Sequence, residues 1–436
     1  MEKMLLVRYG EIGLKGKNRY QFERKLVKNM KSVLKGQPVN EIQIYHGRYF
    51  VTVQGDDSDF QEVQKRLTKV FGIVSVSPVL KVPTNMEDIR AAAIQVFKAE
   101  LCRQGYDEYE LGFEDQKAPL SDQVLETRDV ESLKEHGISF KVEARRSDKS
   151  FALNSMELNK ELGAYILKNF PGVRVDVHTP DIMLWVEIRH EGAFVYSEKI
   201  PGPGGLPVGT TGRGIALLSG GIDSPIAVWL AMKRGIEVNA LHFHSYPFTS
   251  QRALSKVEDL CQVLVEYGGP LKLYVNHFTE IQKAIQENCR EEMWVTVMRW
   301  FMFQIANRLA GERKALSLVT GENIGQVASQ TLESMQVVSH GVDRPILRPL
   351  AGMDKKEIMK KAEQIGTYNI SIRPYQDCCT LFLPQNPKTK PRLDQLEEET
   401  APLDIEALIE ESMRKTEVKY FYPYPETASG ELSLDL

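Results

Sequence analysis

The 436-residue sequence predicts a multidomain protein, part α+β and part α/β. Three observations carry this. The first eighty residues alternate apolar patterns in the order β-α-β-β-α-β, the order of a ferredoxin-like domain. From residue 214 strands and helices alternate strictly, which implies a doubly wound parallel sheet. Between the two, Pro201-Gly202-Pro203-Gly204-Gly205-Leu206-Pro207 is strong loop punctuation. At about 150 residues per domain the length fits three domains: 1–80, 81–200 and 201–392, followed by an acidic tail over 393–436.

Met4 to Tyr9 reads as a strand, and Phe22, Leu26, Met30 and Val33 are spaced as one helix face. Two strand-like runs, Ile42 to Tyr45 and Tyr49 to Val53, flank His46-Gly47. Ser58 with Gln61 has the capping-box spacing ahead of an amphipathic helix, and Ile73 to Leu80 closes the unit as a strand. In the second unit, Ala91 to Cys102 is helical in pattern, and 105–137, with ten Asp and Glu, reads as a surface excursion. Ile138 to Arg146 is a strand ending in the basic turn Arg145-Arg146-Ser147-Asp148-Lys149; a helical pattern and the strands Val173 to Val177 and Met183 to Ile188 follow. The third unit opens with the strand ending Ala216-Leu217-Leu218, then Ser219-Gly220-Gly221-Ile222-Asp223-Ser224, then a helix led by Pro225. A strand to Phe243, a helix to Tyr267, a strand to Asn276, helical pattern from Phe278 to Leu309, a strand to Thr320 and a helix from Ile324 complete it.

Hydrophobic residues at 42% and charged residues at 26% describe a globular chain. No apolar run approaches the roughly 18 residues that span a bilayer, and the early charges at Glu2, Lys3 and Arg8 do not suit a signal peptide, so a cytoplasmic protein without membrane contact is expected. Five cysteines do not form a disulfide framework, and no C-x-x-C pair suggests a zinc or iron–sulfur site. The net charge of −4 conceals a segregation: +7 over residues 1–50 and −9 over 393–436. A basic front can attract a polyanion through phosphate contacts, although solvated surface is the usual fate of such runs.

Glycines between a strand and a helix let backbone N–H groups approach a phosphate, with the helix N-terminus adding positive potential. The wide spacing and Lys-Ser/Thr ending of a Walker loop are missing. The SGGIDS loop resembles that of the PP-loop ATP pyrophosphatases, which split ATP into AMP and pyrophosphate while adenylating an oxygen. FKVEARRSDKSF (140–151) with the later strands resembles the THUMP domain of tRNA-modifying enzymes. With the opening RYGEIGLKGKNR (8–19), the three motifs in this order resemble the ThiI family of tRNA 4-thiouridine synthetases over 1–392.

That resemblance implies that ATP with Mg²⁺ activates a uridine carbonyl oxygen at position eight of tRNA, and that sulfur from a cysteine persulfide then displaces AMP to give 4-thiouridine. It implies ATP contacts from Leu217, Leu218, Ser219, Gly220, Gly221, Asp223, Ser224, His242, Phe243, Arg299, Gly321 and Gln330. Asp223 is the expected catalytic carboxylate, because an aspartate in a phosphate loop is electrostatically unfavourable unless it holds Mg²⁺ or positions the departing pyrophosphate. Lys355, which opens a helix, matches a lysine that would stabilise that leaving group. Cys378 and Cys379 are the sulfur-relay candidates, with Arg373 or Lys388 as cations favouring a thiolate; the acceptor is placed at Cys378 with Cys379 close behind, since the resemblance does not settle which of the two neighbours aligns. Cys102, Cys261 and Cys289 lie in helical patterns and read as buried. Lys15, Lys17 and Arg19 in the front and Arg145, Arg146 and Lys149 in the THUMP turn are the RNA-contact candidates. Implied partners are tRNA, a cysteine desulfurase, a sulfur carrier of thiamine thiazole synthesis and a second copy of the chain. Some members carry a C-terminal rhodanese domain; 57 residues after Cys379 are too few for one. A PP-loop ligase acting on a small molecule, which would give Cys378 no role, and a non-catalytic RNA-binding module are the competing readings.

Overall fold

The computed structural model describes residues 2–45, 47–106, 138–170, 172–375, 384 and 386–424. The chain falls into two compact units: Met1–Tyr9, Gln37–Thr68 and Val74–Pro201 form one, and Gly10–Gly36, Lys69–Ile73 and Gly202–Leu436 the other.

The front follows the expected order: β1 (Glu2–Tyr9), α1 (Arg19–Val33), β2 (Val39–Tyr45), β3 (Arg48–Val53), α2 (Asp57–Leu67) and β4 (Ile73–Val82). Helix α2 is capped by Asp56 with Asp59, two residues ahead of the anticipated Ser58–Gln61 pair; the Asp56 carboxylate accepts from the Asp59 N–H at 3.0 Å. The next elements are α3 (Met86–Arg103), β5 (Ile138–Arg146), α4 (Ser155–Asn169), β6 (Val173–Val175), β7 (Ile182–Arg189), β8 (Gly192–Tyr196) and β9 (Ile200–Pro201). The first unit holds a single nine-stranded sheet in the order β2-β3-β1-β4-β8-β7-β5-β6, with β9 also on β4. The ferredoxin-like and THUMP parts join where Leu80 of β4 pairs antiparallel with Val195 of β8. Phe97 of α3 sits edge-on against Phe140 and Phe170, closing the apolar layer under α3 and α4.

The second unit is built on β10 (Arg213–Leu217), α5 (Asp223–Lys233), β11 (Glu237–His244), α6 (Gln251–Gly268), β12 (Leu271–His277), α7 (Thr279–Asn288), α8 (Trp294–Glu312), β13 (Ser317–Val319), α9 (Leu332–Val338), β14 (Ile346–Leu347), α10 (Lys355–Ile365), α11 (Tyr368–Ser371), α12 (Leu393–Thr400), α13 (Ile405–Arg414) and β15 (Glu417–Phe421). Its sheet runs β14-β13-β10-β11-β12-β15, parallel except for β15. Side chains alternate between two apolar layers: Ile215, Leu241 and Phe243 face one, and Ala216, Leu218 and Ala240 face the other. The helical pattern after Phe278 is broken into α7 and α8 at 289–293, where Cys289 has left the helical conformation and the Trp294 indole donates to its carbonyl at 3.0 Å.

Residues 393–421, anticipated as an acidic tail, are structured. Leu396, Leu403 and Ile409 are buried in the layer formed by α8, and β15 pairs antiparallel with β12. The acidic composition had hidden an apolar face: most of the charges lie on the outer side of two short amphipathic helices, while Glu399 is buried and pairs with Arg290.

Candidate active site

Strand order reverses beside β10, with β11 and β12 on one side and β13 and β14 on the other. Such a switch point opens a crevice at the carboxyl ends of the strands, and the SGGIDS loop lies there. Backbone pairing continues past β10, since Leu218 N–H donates to the Leu241 carbonyl at 2.8 Å. The loop is closed by its own serines. Ser219 N–H donates to Ser224 Oγ at 2.9 Å, Ser224 Oγ donates to the Ser219 carbonyl at 3.1 Å, and Gly221 N–H donates to Ser219 Oγ at 3.3 Å. Ser371 Oγ donates to the Gly221 carbonyl at 3.2 Å.

Asp223 opens α5 and gathers two further elements. Its Oδ1 accepts from Lys355 Nζ at 2.6 Å, and its Oδ2 accepts from Gln326 Nε2 at 2.8 Å. Lys355 is the first residue of α10, and the Glu357 carboxylate accepts from Asp354 N–H at 2.8 Å to fix that helix start. Two helix N-termini, α5 and α10, thus flank the loop, each adding partial positive potential to the lysine charge. The arrangement suits a polyphosphate whose leaving half gains charge as a bond breaks.

Gly321 belongs to this packing. A Cβ there would lie 2.8 Å from both Ser224 N and Ser224 Cα, so only glycine lets the strand end approach the start of α5. The helix expected from Ile324 is absent; 320–331 is a loop, and α9 begins only at Leu332, capped by Thr331. Gly325 takes φ +74° and its N–H donates to the Gln330 carbonyl at 2.9 Å, a fold incompatible with a helix. Gln330 is therefore a loop residue, and its Oε1 is a buried acceptor without a partner among the described residues.

Arg299 was expected to reach the ligand phosphate or ribose. Its guanidinium pairs with the buried Glu322 and donates to the Ser329 carbonyl and, at 3.2 Å, to Ser334 Oγ. Glu322 also takes Arg348 Nε at 2.7 Å and Thr320 Oγ1 at 2.9 Å. This carboxylate organises the loop, and sequence reading missed it along with Gln326 and Arg348. Glu322 and Gln326 lie between Gly321 and Gln330, two expected ATP contacts, whereas Arg348 carried no local signal.

His242 and Phe243 lie near the end of β11 but point to opposite faces. His242 is buried with Nδ1 3.0 Å from the Leu218 carbonyl; a carbonyl only accepts, so Nδ1 carries the hydrogen. The Phe243 ring packs edge-on against Phe278 at 5.1 Å in the apolar layer, away from His242, because successive strand side chains alternate. Leu217 is half-buried against the same layer as Phe243, and Leu218 is buried in the opposite one.

Cys378 and Cys379 lie outside the described residues. Just before them, the buried Lys256 on α6 donates to the Arg373 carbonyl at 3.1 Å. The cations proposed to favour a thiolate have carboxylate partners: Arg373 pairs with Asp259, and Lys388 with Glu292 at 3.4 Å. Cys102 is exposed rather than buried, whereas Cys261 and Cys289 are buried as expected. Burial pushes the Cys289 thiol up to about 11 and also raises that of Cys261, so both stay protonated near neutrality.

Among the RNA candidates, Lys17, Arg145 and Lys149 are exposed. Lys15 lies 3.8 Å from Glu11, and Arg19 is 2.8 Å from Glu23. Arg146 differs from its neighbours, since it donates to the Phe151 carbonyl at 2.9 Å and the Leu153 carbonyl at 3.4 Å, holding the turn rather than offering a free charge.

Comparison with known proteins matches residues 209–405 to the family described as Thiamine biosynthesis protein (ThiI), 4–77 to the ThiI ferredoxin-like domain and 120–198 to the THUMP domain. The chain is 56% identical, over all of both chains, to a protein of Natranaerobius thermophilus named "Probable tRNA sulfurtransferase". A protein of the same name from Moorella thermoacetica is 50% identical, covering 96% of this chain and 97% of its own. The crystal structure of a 4-thiouridine synthetase in complex with RNA and bound ATP superposes with a TM-score of 0.83 at 37% identity, covering 97% of this chain and 100% of that one. No described helix is long and apolar enough to cross a membrane.

Proposed function

The chain belongs to the ThiI family of tRNA sulfurtransferases, and we propose that it makes 4-thiouridine by adenylating a uridine carbonyl oxygen of tRNA and displacing AMP with sulfur. ATP-dependent tRNA thiolation is the activity that this membership assigns. The observation that most directly supports the mechanism is the convergence of Lys355 and Gln326 on Asp223 beside the serine-closed loop.

In this reading the loop N–H groups and the α5 N-terminus hold the ATP phosphates, and the uridine O4 attacks the α-phosphorus. Lys355 offsets the charge that grows on departing pyrophosphate. Gln330 offers its unpartnered Oε1 to a donor of the nucleotide, and Arg299 acts at one remove by fixing Glu322 and the loop. Asp223, whose two oxygens accept from Lys355 and Gln326, would be the residue to hold a Mg²⁺ ion bound with ATP, through a remaining lone pair. Bound there, Mg²⁺ would neutralise phosphate charge.

The sulfur step falls to Cys378 or Cys379: a persulfide on one attacks C4 of the adenylated uracil, AMP leaves, and a second thiol, from the neighbouring cysteine, a separate protein or a reductant, releases the sulfur to the base. A cysteine desulfurase is the proposed source of the persulfide, and delivery of sulfur to a carrier for thiazole synthesis the proposed second use of the same relay. The exposed Lys17, Arg145 and Lys149 are proposed to contact tRNA phosphates. The test is mass analysis of nucleosides from unmodified tRNA incubated with the protein, ATP, Mg²⁺ and a persulfide donor. ATP-dependent 4-thiouridine is the expected product; pyrophosphate release with small molecules and no thiolated tRNA would favour a small-molecule ligase.

A further inference from the structure

At the opposite edge of the second unit's sheet from the SGGIDS loop, a cavity of about 330 Å³ opens at the amino ends of β10, β11 and β12. Strand β10 alone separates the two edges by roughly 15 Å, so this cavity is not part of the ATP crevice. Lys25, Lys28, Arg213, Lys272 and Arg313 line it, against the single carboxylate of Glu237. Glu237 is already engaged by Arg213 at 3.2 Å. Neither Lys25 nor Lys28 takes part in an ion pair among the described residues, and burial holds the Lys25 ammonium below its ordinary range, opposed by the nearby Glu237 carboxylate and reinforced by the charges of Lys28 and Arg213.

The walls are also aromatic. The Arg313 guanidinium lies 5.4 Å from the centroid of Tyr274, and the Lys272 ammonium 5.4 Å from that of Tyr420. Tyr267, Phe421 and Tyr422 also line the cavity. Surplus cations that repel one another in the free protein are relieved by an anion, and flat rings beside them suit a base. The volume fits one nucleotide and not a duplex.

We propose that this cavity is a second nucleotide site, which takes a nucleoside monophosphate unit with its phosphate on Lys25, Lys28 and Arg313 and its base against the tyrosines. The unit is either a residue of bound tRNA or a free nucleotide. The first alternative rests on the tRNA-thiolating reading, the second does not.

The test uses the full-length chain and the exposed pair Lys28→Gln with Arg313→Gln, checked for an unchanged melting temperature. Filter binding measures tRNA affinity, and equilibrium dialysis measures UMP. If the occupant belongs to tRNA, the double variant binds tRNA at least tenfold more weakly and keeps its affinity for ATP. If it is a free nucleotide, wild type binds one UMP that the double variant does not, and tRNA affinity is equal in both. A folded double variant that matches wild type for tRNA and UMP overturns the proposal. Wild type that binds no tRNA would count against the thiolating reading, and the UMP measurement would then decide the cavity by itself.

Discussion

Asp223 spends both carboxylate oxygens on partners from other elements, so replacing it tests chemistry and architecture together. Asp223→Asn keeps the shape and removes the charge. Because the pair with Lys355 is partly exposed, stability should change by no more than ~1 kcal/mol. Pyrophosphate release should fall by about 10²-fold or more, and tRNA affinity should persist. Glu322 behaves oppositely. Its carboxylate is 7% exposed and neutralises Arg299 and Arg348, so Glu322→Gln leaves two guanidinium groups without their counterion and should cost on the order of 3 kcal/mol in chemical denaturation. His244 supplies a pH dependence. Burial first, then the neighbouring His242 and His277, lowers it from an ordinary 6.5 to about 4. The folded chain therefore resists a proton that the unfolded chain accepts, so stability is full above pH 6.5 and declines as pH falls from there towards 4. In His244→Asn the melting temperature should fall less steeply over that window.

Elements with uninterrupted apolar periodicity were legible from the sequence, and those shaped by long-range partners were not. The front β-α-β-β-α-β order, the parallel sheet and the SGGIDS corner could be read because local pattern and tertiary burial agree there. The segment after Thr320 could not: its fate is decided by Glu322 meeting Arg299 and Arg348 from distant parts of the chain, which no local window contains. Likewise Phe243 sits next to His242 in sequence, yet the pleat sends its ring to the other face. The acidic end was misleading because charge dominates its composition, although Leu396, Leu403 and Ile409 carry its packing. Ile409→Ala should thus destabilise the protein by ~2–4 kcal/mol, as a core truncation does and a tail substitution does not. Where two elements meet most closely, Gly321→Ala should reduce ATP affinity and loosen the loop together, since its new Cβ would press on the Ser224 backbone.

Recognition of a molecule as large as tRNA is a property of the whole charge distribution, and the chain is uneven: +7 over its first 50 residues and −9 over its last 44. Association should weaken steeply with salt as phosphate contacts release counterions. The structure divides the basic turn after β5 into charges that face solvent and one that serves the fold. Arg145 is 70% exposed at its side chain, and Lys149 is exposed, while Arg146 is tied to the Phe151 and Leu153 carbonyls. Asp148, which accepts from Ser150 N–H at 2.9 Å and lies 3.3 Å from His190, pins the same turn. Arg145→Gln with Lys149→Gln should therefore lower tRNA affinity, reduce the slope of log affinity against log salt by roughly two, and leave the melting temperature unchanged. Arg146→Gln should lower the melting temperature, because it strands two turn carbonyls, and it should change the salt slope only as far as the turn itself is lost. An equal loss of salt slope in Arg146→Gln, at wild-type stability, would show that its charge reaches the phosphates after all.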